Sequence, residues 1–158
     1  IRYLVDRHGL AYDQPAPFAS DTTLASALLA PTCIYSKPCL DLWQIDGVHS
    51  MAHITGGGFD ENLPRTLPAG LSAVIDVARL PRLPVYSWLQ QDMQLAPREM
   101  LKTFNCGAGM VLSVAESAVD SVTGAAAKHG LAATVIGHLA ANDDAAAPVI
   151  YHNLEAGF

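Results

Sequence analysis

The side chains best suited to chemistry crowd into residues 53–65, where His53, Thr55, Gly56, Gly57, Gly58, Glu61, Asn62 and Arg65 share one short stretch. An imidazole with an ordinary pKa near about 6.5 can give or take a proton at neutral pH. A guanidinium offers a planar fork that matches phosphate oxygens. Three consecutive glycines cost backbone entropy on ordering, so they suit a place where the chain turns sharply or approaches a ligand. Their successive N–H groups can also form an anion nest. Together these types point to phosphate handling beside proton transfer, with His53 as the catalytic candidate. Thr55, Gly56, Gly57, Gly58, Asn62 and Arg65 are the phosphate or substrate contacts. The alternative is a strand-to-helix turn with no ligand and a histidine bonded to backbone.

A second group lies at Asn105-Cys106-Gly107-Ala108-Gly109. Asn105 and Gly107 are candidate substrate contacts, because an amide side chain between a helix and a strand can either fix a turn or bind a ligand. Cys106 has no basic neighbour that would favour a thiolate, so no nucleophile is assigned there. Lys37 reads as a solvated lysine or a phosphate contact, and Glu61 as a helix-terminal acid or an orienting group. The other five histidines lack comparable surroundings.

The elements that must carry these groups follow from pattern and punctuation. Residues 1–8 read as the end of a helix stopped by Gly9, and residues 11–20, with Pro15 and Pro17, as a linker. Asp21 is the expected cap of a short helix through Leu28 and Leu29, closed by Pro31. Strand, helix and strand are expected over 33–36, 39–45 and 48–54, the last feeding the glycine loop. A helix starting near Asn62 would place Pro64 in its first turn. Beyond it come a strand over 71–78, helices over 85–91 and 97–103, and a strand over 109–115. A helix capped by Ser117 should follow over 117–129, then strands over 131–139 and 149–152, with a loop of small residues over 142–147. This alternation predicts an α+β domain with one mixed β-sheet covered by helices.

Composition narrows the function classes. With 158 residues the chain fits one domain able to bury about 70% of its unfolded surface. A net charge of −6 and scattered basic residues argue against nucleic acid as a partner. No apolar run reaches the ~18 residues of a membrane span. Three cysteines without metal-type spacing read as reduced thiols in a cytoplasmic protein. The chain opens on Ile1-Arg2 with no initiator Met and no signal core, which reads as a piece of something longer.

Three stretches carry a family resemblance. Ala52-His53-Ile54-Thr55-Gly56-Gly57-Gly58, with Glu61-Asn62 and Pro64-Arg65, resembles the glycine-loop signature of the aminoimidazole ribonucleotide synthetases, the phosphoribosylformylglycinamidine cyclo-ligases of purine biosynthesis. Residues 31–38, Pro-Thr-Cys-Ile-Tyr-Ser-Lys-Pro, resemble that family's entry strand. Residues 99–110, from Glu99 through Asn105-Cys106-Gly107 to Met110, resemble its second signature. The resemblance implies that residues 21–158 are the C-terminal synthetase domain and residues 1–20 a remnant of the inter-domain helix and linker. The N-terminal ATP-binding domain would be absent from this chain. It further implies ATP and Mg2+ as cofactors of the intact enzyme, bound mostly by that other domain, and formylglycinamidine ribonucleotide as substrate. A homodimer is expected, and the fragment alone should be inactive. A non-catalytic ligand-binding or assembly domain of the same fold is the alternative.

Overall fold

The computed structural model describes residues 1–142 and 147–156. Helix α1 (Arg2–Arg7) buries Leu4 and Val5 and ends at His8, after which Gly9 adopts a positive φ of 58°. The expected linker is in part a hairpin, β1 (Pro15–Ala16) against β2 (Ala19–Thr23), paired antiparallel. Pro15 fits because it opens an edge strand, where a missing N–H costs no ladder bond. Asp21 is consequently a strand residue. The cap of α2 (Leu24–Leu28) is Thr23, whose hydroxyl accepts from the Ser26 N–H at 3.2 Å.

Residues 33–36 form no strand. Cys33 and Ile34 are exposed, and the chain enters α3 (Ser36–Leu42) directly from Tyr35. The helix starts earlier than expected because Pro38 then falls in its first turn, where the lost N–H has no intrahelical acceptor anyway. Strand β3 (Val48–His53) runs to the glycine loop, and α4 (Gly58–Asn62) begins at Gly58 instead of near Asn62. Gly57 in the left-handed region (φ 89°) reverses the chain sharply enough for helix to start at once. Pro64 opens a separate 3-10 turn over Pro64–Thr66.

Strand β4 (Leu71–Asp76) continues into a 3-10 turn at Val77–Arg79, and helices α5 (Pro84–Met93) and α6 (Pro97–Thr103) follow, both with proline in the first turn. After β5 (Met110–Val114), Ser117 lies inside a 3-10 turn and does not cap α7 (Val119–Lys128), whose N-cap is Ala118. Of the strand expected over 131–139 only its end belongs to a ladder, β6 (Gly137–Ala141). Strand β7 (Val149–His152) matches its expected span. Residues 143–146 of the small-residue loop lie outside the described residues.

The α+β class holds, but the single sheet does not. Among the described residues the strands form three small sheets: β1–β2, β3–β5, and the mixed sheet β6–β4–β7, with β4 antiparallel to β6 and parallel to β7. Residues 131–136 make no ladder, so β5 and β6 are not joined. One core still spans the two larger sheets, with Ala52 and Ile54 meeting Ala73, Ile75 and Val77 around Phe59, Met100 and Leu101. Burial of this apolar set holds the glycine loop against the rest of the molecule.

Candidate functional site

The glycine loop is positioned from both ends. Its entry is fixed by β3, where His53 faces Met110 across the ladder and the Ile54 N–H donates to the Gly109 carbonyl at 2.9 Å. Its exit is fixed by Phe59, fully buried one residue into α4. Between them the Gly58 N–H donates to the Thr55 carbonyl at 3.0 Å. Gly58 is buried with φ 56°, and a Cβ there would overlap the Leu101 carbonyl oxygen. Gly58 is therefore a packing residue whose N–H is already committed. Gly56 is exposed with open space around it, and the N–H groups of Gly56 and Gly57 have no protein partner among the described residues.

Asn62 is buried, and its amide nitrogen donates to the carbonyls of Gly58 at 2.7 Å and Gly56 at 3.3 Å. It clamps the loop from below, leaving its Oδ1 to accept from Arg65 at 3.5 Å. The Arg65 side chain is 68% exposed and lies 3.8 Å from the Glu61 carboxylate, a solvated pair of small energetic weight. Thr55 and His53 are exposed. The His53 ring makes an edge-to-face contact with Tyr35 at 5.6 Å between centroids. His53 is thus a surface imidazole at a strand end and not a core histidine.

The second signature lies close by. Tyr35 connects the two, because its hydroxyl occupies the space that a side chain on Gly109 would need. Within the turn, Asn105 Oδ1 accepts from the Tyr86 hydroxyl at 2.7 Å and from the Gly107 N–H at 3.0 Å. Those bonds hold Cys106 and Gly107 at φ 48° and 89° and make Asn105 a turn-former, with Gly107 packed beneath Pro81. Burial pushes the Cys106 thiol up to about 12, which removes it as a nucleophile at neutral pH. The structure therefore places Thr55, Gly56 and Gly57 in the turn between the exposed His53 at the end of β3 and α4, with the exposed Arg65 in the 3-10 turn that follows α4. Gly58, Asn62, Asn105 and Gly107 form the scaffold underneath.

One cluster gave no sequence signal because its members come from three elements. Asp60 on α4 accepts from the Tyr151 hydroxyl of β7 at 2.7 Å, and Arg98 of α6 lies 3.7 Å from the same carboxylate and 5.3 Å over the Tyr151 ring. Burial, reinforced by the Asp60 charge, raises the Tyr151 phenol well above its usual range, so it stays a donor. This knot ties the loop's helix to the mixed sheet. Among the described residues no group of three or more His, Cys, Asp or Glu is arranged to hold a metal ion, and no helix is long and apolar enough to cross a membrane.

A family model described as AIR synthase related protein, C-terminal domain, matches residues 2–150. The chain belongs to that family.

Proposed function

Taking that membership as the premise, we propose that this chain is the C-terminal domain of an ATP-dependent cyclo-ligase that closes the imidazole ring of aminoimidazole ribonucleotide from formylglycinamidine ribonucleotide. The observation that carries the proposal is the Thr55–Gly57 turn, in which the N–H groups of Gly56 and Gly57 have no protein partner among the described residues, with exposed Thr55 and His53 before it and an exposed Arg65 after α4. Such a cradle suits a phosphate monoester or a transferring phosphoryl group.

In this reading the amide oxygen of the substrate becomes a phosphate leaving group at the expense of ATP. An amidine nitrogen then attacks the same carbon and inorganic phosphate departs. This chain's residues bind and orient. Gly56 and Gly57 donate main-chain N–H groups to phosphate oxygens, Thr55 adds its hydroxyl, and Arg65 swings from its weak pairing with Glu61 to supply a fork. His53 holds a proton or a positive charge next to the oxygen being activated. In this proposal Mg2+ and ATP are bound mostly by the other domain, and no step here is routed through the metal. The ATP site, a cytoplasmic setting and a homodimer belong to the same proposal.

The test is an assay of the intact protein for ATP hydrolysis coupled to ring closure. Product formation that requires both ATP and formylglycinamidine ribonucleotide is expected. An intact protein that binds the ribonucleotide but never turns it over would make this a binding or assembly domain.

A further inference from the structure

His53 carries the proposed chemistry, and few groups of the protein hold it. It stands exposed at the end of β3, and among the described residues its imidazole has no hydrogen bond and no ion pair. Its one ring contact among them is Tyr35, at 5.6 Å between centroids and 69° between planes. An imidazole free to turn about its side-chain torsions samples several rotamers. Handling a proton or a charge at a bound atom needs the ring held close to one orientation.

Tyr35 is built into the fold in a way that its neighbours are not. Of residues 31–37 it alone is drawn in from solvent, whereas Ile34 beside it is 82% exposed. Its main chain is fixed as the N-cap of α3, where its carbonyl accepts from the Cys39 N–H at 2.8 Å. Helix α3 is anchored in turn by buried Pro38 and Leu42, and by Asp41, 2.9 Å from His129 at the end of α7. The far end of the ring lies against Gly109, where a Cβ would collide with the hydroxyl and meet ring carbons at 3.0 and 3.2 Å. The Gly109 carbonyl also accepts from the N–H of Ile54, the residue after His53. One glycine thus fixes the strand end that carries His53 and leaves the gap through which Tyr35 reaches it. Burial, reinforced by the Cys33 thiol, raises the Tyr35 phenol above its ordinary value, so the ring stays neutral at neutral pH. Aromatic edges are partly positive and faces partly negative, so a steeply tilted contact of this kind is directional.

We propose that Tyr35 is a positioning residue for His53, its ring wedged between Gly109 and the imidazole so that the imidazole keeps one orientation at the mouth of the glycine turn. The role rests on the reading of His53 as the group beside the activated oxygen. Tyr35 itself touches no reacting atom; it acts through His53. Three separate stretches of sequence then converge on one side chain: Tyr35 from the entry to α3, His53 from β3, and Gly109 from the turn before β5.

Three substitutions test this. Tyr35→Leu removes the ring and Tyr35→Phe keeps it. Gly109→Ala crowds the ring away without altering either partner, at a place where the obstacle is the flexible end of a side chain. In proton NMR of the whole chain, the His53 ring protons should carry an aromatic ring-current shift. That shift should survive Tyr35→Phe and be lost in Tyr35→Leu and in Gly109→Ala. In the intact protein those last two variants should lower kcat about 10- to 100-fold with KM within about 2-fold, and Tyr35→Phe should stay within about 3-fold of normal turnover. Absence of the ring-current shift overturns the contact. A Tyr35→Leu protein that melts lower but turns over normally, when His53→Gln has lost turnover, overturns the positioning role and leaves the reading of His53 standing. Normal kcat in both Tyr35→Leu and His53→Gln removes the reading of His53 itself, and the positioning role with it.

Discussion

The three glycines have different duties, and substitution separates them. Gly58→Ala forces a Cβ into the Leu101 carbonyl at a positive φ, so a loss of about 2–4 kcal/mol in urea unfolding is expected. Gly56→Ala meets open space and should leave stability within about 0.5 kcal/mol while weakening phosphate binding. Equal stability losses at the two positions would contradict this division. For His53→Gln the exposed ring predicts a near-normal melting curve, and the proposed role at the activated oxygen predicts turnover of the intact protein reduced about 10²–10³-fold, roughly 3–4 kcal/mol. Steady-state kinetics beside a melting curve decide it, and a destabilised but fully active variant would return His53 to a structural role. At this scale the sequence marks out the glycine turn but not the structural parts its residues play. Asn62 and Asn105 look like ligand contacts in one dimension, and only the carbonyls and hydroxyls around them reveal that they form turns.

Elements that follow local punctuation were legible. Helix α6 and strand β7 match their expected spans because Pro97 marks a helix start and a β-branched run marks a short strand. Helix α4 was misplaced because Pro64 was read as a first-turn proline, when Gly57 had already turned the chain and Pro64 begins a separate 3-10 turn. The hairpin of β1 and β2 was hidden because pairing partners only a few residues apart, between prolines, leave no apolar alternation to read. The Asp60–Tyr151–Arg98 knot was beyond sequence altogether, since it joins residues up to 91 positions apart. Tyr151→Phe removes the hydroxyl that donates to Asp60 and should cost about 1–2 kcal/mol in urea unfolding. No change in unfolding free energy would show that Arg98 alone satisfies the carboxylate.

At the scale of the molecule, the α+β class and membership at the level of the AIR synthase related C-terminal domain were readable, whereas sheet membership was not. A strand-like run over 131–139 carries the composition of a strand, but composition does not state which neighbour is paired. The central claim is that the glycine loop is a phosphate-side cradle and that ATP recognition lies mainly elsewhere. Calorimetric titration of this chain with formylglycinamidine ribonucleotide, inorganic phosphate and ATP tests it most directly. The account predicts weak binding of the ribonucleotide or of phosphate, lost in Gly57→Val, whose branched side chain meets both a left-handed backbone and Glu61, and no detectable heat with ATP. Tight ATP binding by this chain, or phosphate binding that survives Gly57→Val unchanged, would contradict it.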